Sequence, residues 1–253
     1  MLSLVDTHAH LDMLEGYAEF YVSEAAENNV DKIIIPAIDA EGYPKIVELA
    51  ERFKSVYFQL GLFPSEVKGW SDEYPQLIKD FAKHPKCVGI GEIGLDYYWD
   101  KSFIDLQKDV FIDQIKIANE LSLPITVHDR EAHADCLEIL DKYNKSSQIV
   151  FHCFSGDVSF MKQVVERGYY IAIGGIVTFK KALVLQDVAK QVPLSNLLLE
   201  TDCPYLAPVP YRGKENHPAY VKFVAEEIAK LKDVSVEEIA SVTTENVNKV
   251  FKI

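Results

Sequence analysis

His8 and His10 stand two positions apart in Asp6-Thr7-His8-Ala9-His10, directly after the apolar run Leu2-Ser3-Leu4-Val5. Side chains spaced i, i+2 on an extended segment share a face. Two imidazoles are therefore aimed together at the end of a core-forming segment, and imidazole is a common ligand for divalent metals. The same chemistry recurs further along the chain. Glu92 lies in Val88-Gly89-Ile90-Gly91-Glu92-Ile93-Gly94-Leu95-Asp96, His128 in Leu123-Pro124-Ile125-Thr126-Val127-His128-Asp129-Arg130, His152 in Phe151-His152-Cys153-Phe154, and Asp202 in Thr201-Asp202-Cys203-Pro204. Four imidazoles and two carboxylates suit two borderline-soft divalent ions. An anionic bridge lowers the repulsion between such ions, and Glu92 is best placed to provide it. The glycines around Glu92 let backbone and substrate approach closely.

Each of these residues also has a purely structural reading. Glu92 could be a carboxylate at a helix start, His128 a hydrogen-bonded histidine at the core edge, and Asp202 a turn residue rather than a ligand or base. Arg130, two residues beyond His128, could clamp a phosphate bidentately, or it could pair at the surface with Asp129 or Glu131. Cys153 reads as packing, because strand alternation would turn it away from His152 and no positioned base accompanies it; Cys203 reads likewise. His133 falls in the helix after His128, as a surface residue or a partner to a ligand, and His84 precedes a strand at the structural end of the fold. The loop Pro204–Asn216 carries Tyr205, Tyr211, Arg212 and Lys214, able to stack on a base and hold phosphate. Asn216 then offers a helix cap, with Pro218 inside the first turn.

Short apolar runs must position these groups. Candidate strands are Leu2–Asp6, Lys32–Pro36, Val56–Leu60, Cys87–Gly91, Ile125–His128, Ile149–Cys153, Tyr169–Ile173 and Leu197–Glu200. Amphipathic runs separate them. In Ser102–Leu121 the apolar residues Phe103, Leu106, Val110, Phe111, Ile115 and Ala118 recur at helical spacing, with Ser102 and Asp105 as a capping box, and Ser235 with Glu238 repeats that signal near the C-terminus. Eight strands alternating with helices predict an α/β fold, a (β/α)8 TIM barrel forming a single domain over residues 1–253, with a doubly wound sheet as the rival. The six metal-ligand candidates all fall at C-terminal strand ends, the face on which such barrels build their sites.

Composition narrows the function classes. The 253 residues are 48% hydrophobic and 26% charged, ordinary for a globular protein, and the net charge of −13 opposes broad, tight binding to duplex nucleic acid. It does not exclude a nuclease, because bound divalent ions reverse the local field. Cys87, Cys136, Cys153 and Cys203 are scattered without a CxxC pair, which fits a reducing compartment. With no leader or membrane-length apolar run, the expectation is a cytoplasmic protein with no membrane association and no obligate protein partner.

The words Asp6-Thr7-His8-Ala9-His10-Leu11-Asp12, Gly91-Glu92-Ile93-Gly94-Leu95-Asp96-Tyr97, Leu123-Pro124 through His128-Asp129-Arg130, His152-Cys153-Phe154-Ser155-Gly156, Glu200-Thr201-Asp202-Cys203-Pro204-Tyr205-Leu206 and Pro210-Tyr211-Arg212-Gly213-Lys214-Glu215-Asn216 follow one another in order. Together they resemble the TatD-like metal-dependent deoxyribonucleases, a branch of the amidohydrolase-type barrels. The resemblance implies two divalent ions (Zn, Mn, Mg, Ni or Fe), one held by His8, His10, Glu92 and Asp202 and the other by Glu92, His128 and His152. It further implies phosphodiester hydrolysis, with 3′–5′ exonuclease action on DNA, single-stranded or at a strand end. His217 departs from the Glu that relatives carry there. In the reaction so implied, Asp202 orients the attacking water and accepts its proton, Arg130 with Arg212 or Lys214 neutralises phosphate charge, and Asp12 and Asp96 support ligands. The alternatives are a barrel hydrolase acting on a small amide, lactone or cyclic substrate, and a metal-binding scaffold without turnover. Glu92 stands where the bridging lysine of the broader barrel group would sit, which favours the nuclease reading over the first alternative.

Overall fold

The computed structural model describes residues 3–145 and 147–253. Eight strands pair in parallel in sequence order: β1 (Leu4–Asp6), β2 (Val30–Pro36), β3 (Val56–Leu60), β4 (Cys87–Asp96), β5 (Ile125–Arg130), β6 (Ile149–Phe151), β7 (Tyr170–Ile173) and β8 (Leu197–Leu199). Helices α1 (Ala18–Glu27), α2 (Tyr43–Arg52), α3 (Tyr74–Phe81), α4 (Ile104–Leu121), α5 (His133–Tyr143), α6 (Val158–Glu166) and α7 (Leu183–Gln191) connect successive strands, and α8 (Val221–Lys232) and α9 (Val236–Phe251) follow β8. This is the (β/α)8 barrel that the sequence predicts. Leu2, assigned to the first strand from sequence, lies outside the described residues.

Strand alternation sorts the core into two layers. Ile33 and Ile35, Ile149 and Phe151, and Leu197 and Leu199 belong to the large outer cluster shared with the helices. The residues between them, Ile34, Val150 and Leu198, join Val5, Val88 and Ala172 in an inner cluster closed by Val247, Val250 and Phe251 of α9. That helix covers the N-terminal end of the barrel: Asn246 donates to the carbonyls of Leu194 and Leu197, and Thr244 donates to that of Ser3. The inner positions two residues further along β5, β6 and β8 open the other end, and they carry His128 (beyond Thr126), His152 (beyond Val150) and Glu200 (beyond Leu198).

No ladder joins β8 to β1 among the named strand pairs. The seam is closed instead by backbone hydrogen bonds that continue past both strands: Thr7 N donates to Leu199 O (3.1 Å), Asp202 N to His8 O (2.9 Å) and His10 N to Cys203 O (2.9 Å). The segments carrying His8, His10 and Asp202 thus complete the barrel wall.

Two strands run further at their C-terminal ends than the apolar runs suggest, and β2 starts two residues earlier, at Val30. β4 continues through Glu92 to Asp96, and β5 through His128 to Arg130, so these two ligand candidates lie inside strands rather than at their ends. The extension depends on close approach: a Cβ on Gly94, whose φ is +147°, would lie 2.0 Å from the carbonyl oxygen of His128. The glycines beside Glu92 face neighbouring chain, not open substrate space, since a Cβ on Gly91 would meet Gln59 and Thr126. The β4–β5 register shifts between Ile90 and Ile93, across the position of Glu92.

Helix starts divide. Ser235 caps α9 as expected, accepting from Glu238 N at 3.1 Å. The Ser102–Asp105 box does not form. Asp100 accepts from Ser102 N (2.9 Å), a short 3-10 turn spans Lys101–Phe103, and α4 begins at Ile104.

Candidate metal centre

Glu92, 3% exposed, sits at the centre of the open barrel end. Its Oε2 lies 2.7 Å from His152 Nε2, 3.3 Å from His8 Nε2 and 3.9 Å from His128 Nδ1. His8 Nε2 is also 3.8 Å from Asp202 Oδ1, which is 3.6 Å from His10 Nε2. The His8 ring stacks on His152 with centroids 3.9 Å apart and meets His10 edge-on at 5.2 Å. All six sequence-predicted ligand candidates therefore converge. Two triads, His8–His10–Glu92 and Glu92–His128–His152, each bring one potential ligand atom per residue within 4.8 Å of the others.

Most of these groups lack hydrogen-bond partners. Both nitrogens of His8, Nδ1 of His10, Nδ1 of His152 and Oε2 of Glu92 are buried without one. A buried, unsatisfied polar atom costs about 1–3 kcal/mol, so a cluster of them is expensive unless something binds there. A divalent cation suits the set, because imidazole nitrogens and carboxylate oxygens, its usual ligands, stand within 4.8 Å of one another in each triad.

The electrostatics follow from burial and from Glu92. Burial lowers His8 to about 4, with His152 adding to the effect. Burial also opposes charge on His152, but the Glu92 carboxylate wins and raises it to about 9. Burial disfavours ionised Glu92, yet His152 and His8 hold it well below the usual carboxylate range. Asp202 is lowered in the same way, against burial, by His10, His8 and His152. Two donors keep an edge to solvent: the side chains of His128 and Asp202 are each 15% exposed, against 0–4% for His8, His10, His152 and Glu92.

Asp96 supports His128, its Oδ2 lying 3.0 Å from Nε2 and so leaving Nδ1 toward Glu92. Asp12 makes no such bond to His10; its Oδ1 and His10 Nδ1 are both unpartnered. Glu200 is the site residue that sequence reasoning missed. Its Oε1 accepts from Cys153 N (2.6 Å) and lies 3.9 Å from His152 Nδ1, its Oε2 is unpartnered, and burial raises it to about 8. It also forms a third potential ligand triad with His8 and His152. The available signal was its position two residues beyond Leu198 on the inward face.

Cys153 is no alternating strand residue, because β6 ends at Phe151 and Cys153 adopts φ +42°. Burial pushes its thiol well above the usual range, consistent with a packing role. His133 binds Asp129 (2.8 Å) and stacks on Phe160, and His84 accepts from Lys86 N; both lie outside the cluster.

Arg130 makes neither of the surface pairs considered from sequence. Asp129 is taken by His133 and Glu131 by Lys101 (3.7 Å), while the guanidinium lies 3.9 Å from the centroid of the Tyr98 ring. In the loop after Asp202, Tyr205 is 57% exposed, Tyr211 stacks on Tyr220, Arg212 lies over Phe179 and Lys214 is exposed. Asn216 is not a helix cap. Fully buried, it donates to Thr201 O (2.8 Å) and Tyr205 O (2.7 Å) and accepts from His217 N, tying the loop to the Asp202 turn. His217 packs against Tyr220 and Tyr21, apart from the ligand cluster, and burial lowers it to about 4.

Known proteins match the chain over nearly its whole length. A family model described as TatD related DNase matches residues 5–252. The chain is 41% identical to the metal-dependent hydrolase YabD of Bacillus subtilis (strain 168), covering 99% of each chain. It is also 41% identical to the metal-dependent hydrolase YcfH of Escherichia coli (strain K12), covering 99% of this chain and 96% of that one. The crystal structure of YjjV, a TatD homologue from Escherichia coli K12, superposes with a TM-score of 0.94 at 31% identity over 100% of both chains.

Proposed function

The chain belongs to the TatD related DNase family, and from that premise we propose that it is a metal-dependent phosphodiester hydrolase that removes nucleotides from the 3′ end of single-stranded DNA. The observation that carries this reading is the approach of three imidazoles to one buried carboxylate oxygen, Glu92 Oε2. Glu92, His8, His10 and Asp202 would hold one divalent ion, and Glu92, His128 and His152 a second. When bound there, such ions supply Lewis acidity and bring the ionisation of water toward neutral pH.

The protein's own groups do the rest. Asp202 faces His8 and His10 through Oδ1, and its exposed edge orients water and accepts a proton as the water oxygen adds to phosphorus and the ester P–O bond breaks, the departing alkoxide taking its proton from solvent. Arg130, free of carboxylate partners, offsets charge gathering on the phosphoryl oxygens from the His128 side. Arg212 and Lys214 are exposed cations in the loop after Asp202, with Tyr205 beside the turn, and they receive the rest of the strand. Glu200 holds the Cys153 backbone and so fixes the segment that presents His152.

The test is a substrate panel on metal-loaded protein: 3′-labelled single-stranded DNA, RNA, a phosphomonoester and a lactone. Fastest turnover is expected as nucleotide release from DNA. Turnover of the lactone with no nucleotide release would replace this reading with the small-substrate alternative.

A further inference from the structure

The loop between β4 and α4 exposes two aromatic side chains, Tyr98 (48%) and Trp99 (71%). Their rings meet edge-on at 4.8 Å, and the Arg130 guanidinium lies 3.9 Å from the Tyr98 centroid and 5.4 Å from that of Trp99. Large exposed aromatics cost solvation and usually mark a contact surface. This pair is also held in place. Asp96 Oδ1 accepts from the backbone N–H groups of Tyr98 (2.9 Å) and Trp99 (3.3 Å), while its Oδ2 binds His128 Nε2 (3.0 Å). One buried carboxylate therefore fixes both the aromatic loop and a metal-ligand candidate.

We propose that Tyr98, Trp99 and Arg130 form a stacking subsite for an unpaired base of the substrate strand, on the His128 side of the ligand cluster. The assignment rests on the nuclease reading above and adds where the strand lies. Aromatic faces stack on any base, and a guanidinium aligned over a ring adds a cation–π contact while keeping donors free for the adjacent phosphate. Stacking needs an unpaired base, because a base inside a duplex has neither face free. The subsite thus selects single strands and frayed ends.

Trp99 provides its own probe, since the chain has only two tryptophans and the other, Trp70, is partly buried against Tyr74. Metal-loaded protein is titrated with a phosphorothioate oligothymidylate that resists hydrolysis, following tryptophan fluorescence and the anisotropy of a labelled strand. The expected results are quenching in the unaltered protein, affinity lowered on the order of ten-fold in Trp99→Ala and largely retained in Trp99→Phe. Affinity for a strand of abasic sites, which offers no ring to stack, should be the same in the unaltered protein and in both variants. Equal affinity of the unaltered protein and Trp99→Ala for the oligothymidylate, or an equal loss on the abasic strand, would overturn the subsite. The two readings separate cleanly: Trp99-dependent binding without DNA cleavage refutes the nuclease assignment and keeps the subsite, whereas cleavage insensitive to Trp99→Ala does the reverse.

Discussion

Asp96 divides its carboxylate between a histidine and a loop, and so links the ligand cluster to its surroundings. A group that fixes the tautomer of a metal-binding histidine commonly accounts for a 10- to 100-fold difference in metal affinity. Asp96→Asn is expected to lower affinity for the ion on the His128 side by about that factor, read by competition with a chromogenic chelator, while the His8–His10 side retains its ion. Equal retention of both ions in the variant would remove Asp96 from this role. Residues of this kind are the hardest to read from sequence. His8, His10, Glu92, His128, His152 and Asp202 announce themselves because imidazoles and carboxylates after apolar runs are conspicuous. Glu200 stood two residues from Asp202 and was passed over, since only the inward phase of β8 separates a buried site residue from a turn. Asn216 failed as a cap for a related reason: its spacing from Pro218 fits one, but its amide is committed to Thr201 and Tyr205 carbonyls far back in the loop.

At the scale of elements, β4 carries the most constraint. All ten of its residues are buried, and its path beside β5 requires Gly94, where a Cβ would collide with the His128 carbonyl and φ lies in the region that favours glycine. Gly94→Ala is expected to destabilise the fold by about 2 kcal/mol or more, measured by denaturant unfolding, and to disturb His128. Gly69→Ala, with nothing within 4 Å of the added methyl, serves as the control and should stay within about 0.5 kcal/mol. Comparable losses at both positions would contradict the packing argument. Strand number and order were readable because short apolar runs bounded by polar segments recur eight times. The ends of β4 and β5 were not, because the runs turn polar at Glu92 and His128 while backbone pairing continues to Asp96 and Arg130. Sequence shows where apolar side chains stop, which is not where the ladder stops.

At the scale of the whole molecule, a net charge of −13 surrounds a site that must receive a polyanion. Few phosphates can be contacted at once under that charge, which fits a site that takes one strand end better than one that grips a duplex. No described helix is long and apolar enough to cross a membrane. The α9 plug closes the N-terminal end of the barrel, so the polar end bearing Glu92 is left for chemistry. The central claim is that this end holds divalent ions required for hydrolysis. Its most direct test is to strip the protein with a chelator, assay release of nucleotides from single-stranded DNA, and then restore Zn, Mn or Mg while counting bound metal. The expected results are no release from stripped protein, recovery on metal addition, and two ions bound per chain, falling to one in His8→Ala/His10→Ala. Undiminished release by verified metal-free protein, or unchanged metal content in the double variant, would contradict that claim.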